Sequence, residues 1–269
     1  MHKNAKLFIA SKLPIDYLKR KKQPDKVCSA RAPVNIALVK YWGKRNVDLN
    51  LPFNDSLSIG LKNKFSETEI GPSEKAEHQI FLKEEGTDTF EAAEPHFVNR
   101  ITSFVDALIP EGHRLKIKTA NYVPTAAGLA SSASGFAALV KALACYYDWQ
   151  LTLNDLSAFA RIGSGSACRS LWNGFVHWTR GKQKDGSDSI GSPIEVNVGD
   201  WQHLSIGLLI ISREKIISST EGMIKTVKES PLYPSWPDLA NHDVIEMKKN
   251  ILACDFTKMG ELSEYNALS

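Results

Sequence analysis

The sequence lacks the patterns that mark several protein classes. Its four cysteines are far apart among 269 residues and form no CxxC pair, which argues against a disulfide framework. The seven histidines are scattered without paired spacing, so no zinc site of the usual kind is predicted. A GxSxG string is also missing, and its absence disfavours serine hydrolysis.

Long apolar runs and a strong excess of one charge are missing as well. The apolar stretch at residues 7–10 is far too short for a signal peptide, and no run approaches the length of a membrane span. The net charge of +3 is too small to indicate the strongly basic surface of a nucleic-acid-binding protein. We therefore expect a soluble cytoplasmic protein with neither a membrane nor a nucleic-acid partner.

The most informative stretch of the chain is residues 124–147, PTAAGLASSASGFAALVKALACYY. A loop of small residues runs directly into apolar positions spaced three and four apart, which predicts an amphipathic helix. Small residues let a bulky anion approach the backbone, and a helix start offers unpaired N–H groups and partial positive charge. The pattern predicts a phosphate site, although tight packing of the loop against a neighbour is an alternative. It is not a Walker A motif, because no Lys-Ser/Thr pair follows the second glycine.

The coarse pattern elsewhere predicts an α+β fold, because strands and helices alternate without a regular βαβ period. Predicted strands cover 65–83 in short pieces, 115–118, 175–179 and 204–211. Predicted helices cover 97–108, 152–163 with a Thr152–Asp155 capping box, and 238–262, while 218–223 is predicted to be a polar turn. Cys145 is expected to be a buried, reduced thiol. We expect a Lys-rich, aperiodic peripheral arm at 1–26, an N-terminal lobe at 27–200 and a C-terminal lobe at 201–269.

Several further segments carry the donors that a polyphosphate ligand requires. A second Gly/Ser loop occupies 163–169, a cluster of cations surrounds Tyr41 and Trp42, and a Ser/Thr segment lies at 218–220. Phosphates need cations and hydroxyl donors because they spread charge over several oxygens. Each segment also has an ordinary explanation. Lys40 and Lys44 could be surface charges, the loop serines could cap helices, and Arg169 could pair with a carboxylate.

Taken together, five strings resemble one family. They are APVNIALVKYWGKR, LPFNDSLSI, VPTAAGLASSASGFAAL, GSGSACRSLW and SSTEGM, and they run in order along the chain. The chain resembles diphosphomevalonate decarboxylases of the GHMP small-molecule kinase superfamily. The resemblance implies a two-lobed fold with ATP bound along the central loop and Mg²⁺ on its phosphates. It also implies ATP-driven decarboxylation of (R)-5-diphosphomevalonate to isopentenyl diphosphate, carried out by a homodimer.

The resemblance assigns roles position by position. It makes Arg169, Lys40 and Ser132 the catalytic residues, with Arg169 paired to the departing carboxylate because its planar fork suits two oxygens. The implied substrate-binding residues are Tyr41, Trp42, Gly43, Lys44, Ser164, Gly165, Ser166, Ala167, Cys168, Arg169, Ser219 and Thr220. The implied nucleotide-binding residues are Thr119, Gly128, Ala130, Ser131, Ser132 and Ser134.

One departure from the family pattern leaves alternatives open. The family places an Asp near its C-terminal end to orient or deprotonate the tertiary hydroxyl, and no string here matches it. We expect either a shortened form of a longer protein or a variant without that group, and in either case little activity from these 269 residues alone. Three alternatives to the decarboxylase remain: a mevalonate-type kinase, a phosphomevalonate decarboxylase and a non-catalytic phosphate-binding protein of this fold.

Overall fold

The computed structural model describes residues 3–123, 131–197, 199–207, 209 and 219–269. Its strands are β1 Cys28–Val39, β2 Lys44–Asn46, β3 Leu51–Pro52, β4 Ser56–Pro72, β5 Gln79–Lys83, β6 Glu91–Ala92, β7 Leu115–Asn121, β8 Gly174–Trp178 and β9 Gly191–Pro193. Its α-helices are α1 Lys3–Lys12, α2 Pro95–Val105, α3 Ser131–Tyr146, α4 Leu153–Gly163, α5 Ser219–Glu229, α6 Trp236–Leu252 and α7 Phe256–Leu268. Short 3₁₀ helices occupy Tyr17–Lys19, Gly165–Arg169 and Tyr233–Ser235.

Strand β4 is the centre of a seven-stranded sheet whose main path runs β6-β5-β7-β4-β8-β9. It pairs antiparallel with β1 along most of its length. Its second half also pairs with β7 and its first half with β8. Strands β5 and β7 are parallel, so the sheet is mixed. Together with the segregated helices, this arrangement confirms the predicted α+β class.

Two strand pieces lie within the predicted range 65–83, which confirms that prediction: β5 is Gln79–Lys83, and residues 65–72 are the second half of the longer β4. Residues 56–72 form one strand of 17 residues, with a register irregularity opposite Pro33 and Val34 of β1. The polar residues Lys62, Asn63 and Lys64 lie at that irregularity. They have no register partner in β1, whose pairing with β4 resumes at Phe65 opposite Pro33, although the strand conformation of β4 continues through them.

Helix α3 is the buried helix that the apolar spacing predicts. Its inward residues include Ala133, Ala137 and Val140, all fully buried, and the helix packs against β1 and β4. Cys145, in contrast, is exposed, and the expectation of a buried thiol there was wrong. It lies between the buried Leu143 and Tyr146 but faces away from the core.

The N-terminal segment corrects the prediction of a peripheral, aperiodic arm. Residues 3–12 form α1, and Ala5, Phe8 and Ile9 are buried in the main core. The Phe8 ring meets Phe159 of α4 edge-on, with 6.2 Å between ring centroids. Farther along, the Tyr17 hydroxyl donates to the Leu108 carbonyl at 3.0 Å. Abundant lysines hide these apolar positions at helical spacing, because their charged ends can stay in water.

The second half of the chain confirms some elements and changes others. The Thr152–Asp155 capping box begins α4 as predicted. Helices α6 and α7 are also present, and α6 packs its apolar face on Val39, Leu57 and Phe175. The predicted strand at 204–211 is wrong for residues 204–207, which form no strand, and 208 and 210–211 lie outside the described residues. Residues 219–223 begin helix α5, where a turn was predicted.

Within the described ranges, every helix is too short or too polar to cross a membrane.

Candidate phosphate-binding site

The two Gly/Ser loops of the sequence meet in space. Helix α4 ends at Gly163, Ser164 has an extended backbone, and the chain then tightens into the 3₁₀ helix Gly165–Arg169. This path places the Ser164 hydroxyl 3.5 Å from the hydroxyl of Ser132 in the first turn of α3. Ser132 is exposed and Ser164 is half-buried, so both can reach a ligand. The helix start and the second loop therefore form two sides of one site.

Arg169 lies beneath this junction as a buried cation, 2% exposed. Its guanidinium donates to the Ser56 hydroxyl and, at 3.4 Å, to the Asn35 carbonyl oxygen, and it stacks over the Trp178 ring at 5.6 Å. Its Nε has no hydrogen-bond partner, and no carboxylate of the described residues pairs with it. Burial lowers the pKa of the Arg169 guanidinium. A buried, incompletely satisfied arginine favours an anionic ligand, because an unpaired charge away from water is costly.

An aromatic cluster joins three of the sequence strings in one place. Tyr41, Cys168, Trp178 and Met223 are buried together, with Trp42 packed against them. They come from the segment after β1, the second loop, β8 and helix α5. The start of α5 is therefore held beside the second loop, where the partial positive charge of a helix N-terminus favours an anion. Residues 219 and 220 thus belong to a helix start rather than to a turn.

Tyr41 is the member of this cluster that has a free polar atom. Its ring lies 4.6 Å from the Trp178 ring and packs directly against the backbone of Gly165. Its hydroxyl is buried without a hydrogen-bond partner among the described residues. Burial raises the pKa of Tyr41, so the hydroxyl stays protonated and able to donate. An orphaned donor of this kind suits a ligand oxygen.

The turn at Trp42 and Gly43 depends on glycine. Gly43 has φ +87°, and a Cβ at this position would overlap the Tyr233 hydroxyl. That hydroxyl donates to the Trp42 carbonyl at 3.0 Å, which fixes the turn against the 3₁₀ helix Tyr233–Ser235. Both a positive φ and a close approach therefore exclude other residues here.

Lys40 and Lys44 flank this turn, and each faces another cation. Burial lowers the pKa of Lys40, and the positive charge of Arg169 lowers it further. Burial also lowers the pKa of Lys44, with a second contribution from Arg100. Arg100 lies over the Phe136 ring at 4.8 Å and donates to the Gly163 carbonyl at 3.1 Å. Cations that repel one another in this way favour binding of a multivalent anion between them.

A cavity of about 560 Å³ adjoins the start of α3. It lies between α2, β5, β7 and α3, and its wall includes Thr119, Ser131, Ser132 and Arg100. Thr119 is 7% exposed, and its hydroxyl lies 3.1 Å from that of Thr68 on β4. The volume suits a drug-sized or nucleotide-sized molecule. Three of the predicted nucleotide-binding residues therefore share one wall.

Three of the predicted site residues are fully buried in the protein: Ser134, Ala167 and Cys168. Ser134 is fully buried, and its hydroxyl bonds to Ser66 and to the Ser131 carbonyl, so its side chain is structural and does not reach the cavity. Ala167 and Cys168 are also fully buried, and the Cys168 thiol donates to the Gly165 carbonyl at 3.1 Å.

Three positions complete the account of the predicted residues. Gly128 and Ala130 lie outside the described residues, as does the side chain of Ser219. Ser166 is half-buried, with its carbonyl bound by Asn35 at 3.1 Å, and Thr220 is exposed in the first turn of α5.

Three contributors were missed from the sequence. Asn35 and Ser56 hold Arg169, and Arg100 lies between the cavity and Lys44. Asn35 and Ser56 had a signal, since each is a polar residue within a buried strand pattern. No feature of the sequence pointed to Arg100, because an arginine on an amphipathic helix normally faces water.

The sequence of this site matches a known family. The family model described as "Diphosphomevalonate decarboxylase-like N-terminal domain" matches residues 32–191. The chain belongs to the diphosphomevalonate decarboxylase-like family. The matched segment contains both Gly/Ser loops, Arg169 and the lysines of the turn.

Curated relatives and solved structures agree with this assignment. The chain is 39% identical to the diphosphomevalonate decarboxylase of Gibberella zeae over 249 residues, covering 87% of this chain and 65% of that protein. It is 38% identical to that of Schizosaccharomyces pombe, covering 88% of this chain and 63% of the relative. The chain therefore spans somewhat less than two thirds of the length of these relatives.

The fold comparison points to the same family. The crystal structure of mevalonate diphosphate decarboxylase from Staphylococcus aureus superposes with a TM-score of 0.77 at 35% identity, over 90% of this chain and 72% of that one. A second structure, "MDDEF in complex with MVAPP, AMPPCP and Magnesium", has a TM-score of 0.75 at 34% identity, over 90% and 73%. These similarities confirm the predicted GHMP-type fold.

Proposed function

We propose that this chain holds the ATP and substrate sites of an enzyme for ATP-dependent decarboxylation of (R)-5-diphosphomevalonate to isopentenyl diphosphate, with release of ADP, phosphate and CO₂. The observation that carries the proposal is the buried Arg169, which lacks a carboxylate partner within the described residues and lies beside two phosphate-type loops. A kinase for mevalonate needs a phosphate site but has no departing carboxylate to bind. The protonated guanidinium of Arg169 gives the carboxylate a specific partner.

Arg169 would bind the substrate carboxylate through donors that its protein partners leave open. A guanidinium has five N–H donors, and Ser56 and Asn35 take one each. These two contacts, with the stacked Trp178 ring, fix the plane of the group. A fixed plane favours two parallel bonds to a carboxylate, which aligns the C–C bond that breaks.

The diphosphate would bind between the turn at 41–44, the second loop and the start of α5. Tyr41 supplies an unpartnered hydroxyl and Lys44 a positive charge, while Ser164 and Ser166 lie on the facing loop. Ser219 and Thr220 lie in the first turn of α5, where N–H groups are available to an anion. Burial of Lys44 strengthens its attraction to phosphate, because less water screens it.

The triphosphate of ATP would bind at the first turn of α3. Ser131 and Ser132 line the adjoining cavity with Thr119, and the helix start adds partial positive charge. The described residues contain no group of three or more His, Cys, Asp and Glu side chains that could hold a metal. Mg²⁺ would bind oxygens of the ATP phosphates, as is usual in phosphoryl transfer. The similar protein bound to MVAPP, AMPPCP and magnesium supports this ligand set.

The proposed reaction balances as a phosphoryl transfer followed by an elimination. The tertiary 3-hydroxyl oxygen attacks the γ-phosphorus of ATP, the bond from that phosphorus to the β-phosphate oxygen breaks, and ADP leaves. The hydroxyl proton passes to a base, the role that the family gives to the Asp for which no string here has a match. The phosphorylated oxygen then leaves with the C–O electron pair as phosphate. The electrons of the broken C–carboxyl bond form the new double bond, and CO₂ departs. Lys40, beside Arg169, would stabilise the charge on the transferred phosphoryl group.

A panel of three substrates tests this function. The full-length protein is incubated with ATP, Mg²⁺ and mevalonate, its 5-phosphate or its 5-diphosphate, and both ADP and CO₂ release are measured. We expect equal ADP and CO₂ release with the 5-diphosphate and neither product with the other two compounds. ADP release without CO₂ would indicate a kinase. Binding of all three without turnover would indicate a non-catalytic protein.

The assembly state, cellular location and lobe boundaries are part of the proposal. The proposed form is a homodimer in the cytoplasm, with lobes at 27–200 and 201–269 in each chain. Light scattering of the purified protein at several concentrations tests the dimer, which should have twice the mass of the chain.

A further inference from the structure

A chain of hydrogen bonds lies behind the candidate site and is not part of it. The His177 Nε2 lies 2.8 Å from Asp55 Oδ2, and the Lys248 Nζ lies 3.0 Å from the opposite ring nitrogen of His177. The other Asp55 oxygen accepts from the backbone N–H of Arg180 at 2.8 Å. The Asp55 backbone N–H in turn donates to Asn241 of α6 at 2.8 Å. The chain thus ties α6 to strand β8 and to the start of β4.

The partners of His177 fix its tautomer. An ammonium group can only donate, so Nδ1 of His177 must accept from Lys248. The ring proton is then on Nε2 and is donated to the Asp55 carboxylate. Burial would raise the pKa of Asp55, but the hydrogen bonds from His177 and from the Arg180 backbone outweigh it and lower the pKa. The side chains of His177 and Asp55 are 11% and 24% exposed, so these bonds are partly shielded from water.

This chain of bonds leads to the backbone of Lys40. Asn54, next to Asp55, donates from Nδ2 to the Lys40 carbonyl at 2.9 Å and to the Asp55 carbonyl at 2.6 Å. On the other side, the Lys40 N–H donates to Oδ1 of Asn266 at 2.8 Å. Both peptide groups of Lys40 are therefore held by asparagine side chains rather than by a strand partner.

We propose that His177, with Asp55 and Lys248, is a positioning residue for Lys40. The array holds Asn54 in place, and Asn54 holds the Lys40 carbonyl. The array thus sets the backbone from which the Lys40 ammonium donates to the Ala37 carbonyl at 3.1 Å, close to the charge of Arg169. The inference rests on the proposed function only in assigning a phosphoryl group as the ligand of Lys40. The positioning of Lys40 by His177 does not depend on which reaction the protein catalyses.

Chemical labelling of Lys40 tests the positioning without requiring turnover. The full-length protein is treated briefly with acetic anhydride, and the acetylation rate of each lysine is measured by mass spectrometry. We expect Lys248→Met to change the rate at Lys40 by about 3- to 10-fold, the effect of losing a typical net hydrogen bond. Lys249→Met is the matched control, because Lys249 is exposed and its ion pair among the described residues is with Glu246 of its own helix. It should leave the Lys40 rate unchanged.

A second pair of variants separates positioning from stability. His177→Phe removes both ring contacts, whereas His177→Gln keeps a donor near the position of Nε2. We expect His177→Phe to change Lys40 labelling and to lower kcat with little effect on the KM for ATP, and His177→Gln to restore much of both. Thermal melts show whether each variant is folded.

Three outcomes distinguish the inference from the function. Unchanged Lys40 labelling in folded Lys248→Met and His177→Phe would overturn the inference, even if the enzyme is active. Changed labelling in a protein that turns over none of the substrates would support the inference and contradict the proposed function. A fall in melting temperature with unchanged labelling would make the array purely structural.

Discussion

The hydroxyl oxygens of Ser132 and Ser164 lie 3.5 Å apart, although 32 residues separate them in the chain. One belongs to the proposed ATP side and the other to the proposed substrate side. We expect Ser132→Ala mainly to weaken ATP binding and Ser164→Ala mainly to weaken substrate binding. Because the groups adjoin, the double variant should deviate from additivity by about 0.5–3 kcal/mol, as contacting pairs do.

Calorimetric titration of each variant with each ligand measures this coupling. Ser131 provides the control pair with Ser164, because it lies in the same helix turn while the Ser164 hydroxyl contacts that of Ser132. Equal losses for both ligands in both single variants would show that the two loops do not divide the ligands between them.

Arg169→Lys should lower turnover while leaving ATP affinity nearly unchanged. Lysine cannot reproduce the planar fork, so we expect a loss of about 1.5–3 kcal/mol in transition-state binding, measured as kcat/KM for the diphosphate substrate. Arg161 is the matched control because it too is fully buried, but its guanidinium donates to the backbone carbonyls of Leu49, Gly186 and Ser189. Arg161→Lys should reduce the free energy of unfolding, with kcat preserved in the folded fraction. Near-normal turnover of Arg169→Lys would remove this residue from the mechanism.

Gly43→Ala should destabilise the protein more than Gly112→Ala. Both glycines have positive φ, +87° and +84°, so both variants carry the same backbone strain. A Cβ at Gly43 meets the Tyr233 hydroxyl, whereas nothing lies within 4 Å of a Cβ at Gly112. Overpacking adds about 1–3 kcal/mol to the cost at Gly43. Urea unfolding of the two variants measures the difference. Equal midpoints would show that the turn shifts to accommodate the added methyl group without a cost in stability.

Lys44→Met should stabilise the ligand-free protein at neutral pH and lose this advantage in alkali. Burial lowers the pKa of Lys44 in the folded state, so its charge costs stability wherever both states are protonated. The cost disappears as pH rises from the lowered folded pKa to the unfolded value of about 10.4. Unfolding free energies of both proteins across this range should therefore converge. A constant difference at all pH values would mean that packing, not charge, accounts for the effect.

Phe8→Ala should destabilise the chain by about 3–5 kcal/mol, the usual cost of removing a buried aromatic ring. Phe8 is 5% exposed against Phe159, whereas the adjacent Leu7 is 60% exposed. Leu7→Ala is therefore the control and should change stability by no more than about 0.5 kcal/mol. Chemical denaturation compares the two. Similar denaturation midpoints for Phe8→Ala and Leu7→Ala would show that the N-terminal helix contributes little to the stability of the core.

Features set by local sequence were predictable. Helix α3 and the Thr152–Asp155 capping box follow from side-chain spacing and from a bond between neighbours three residues apart. Some of the predicted site residues also lie together, such as Ser132 with Ser164 and Tyr41 with Cys168. The roles of individual residues remain predictions until the variants above are measured.

Features set by distant partners were not predictable from the sequence alone. Arg169 is held by Ser56 and Asn35, which lie 113 and 134 residues away in the chain. The unbroken β4 likewise depends on three separate partner strands. The start of helix α5 was predicted to be a turn because its first residues are polar, as turn residues usually are. The helix instead packs its Met223 into the cluster with Tyr41, Cys168 and Trp178.

The length of β4 has a consequence for local opening of the molecule. Its first residue, Ser56, contacts Arg169, and Thr68 farther along contacts Thr119 beside the cavity. The two ends of the site are thus attached to one strand, but residues 62–64 between them have no register partner in β1, β7 or β8. Either half of β4 can therefore open while the other half stays paired. Amide hydrogens of residues 56–61 and of residues 65–72 should exchange with deuterium as two separate blocks, and those of residues 62–64 should exchange fastest along the strand.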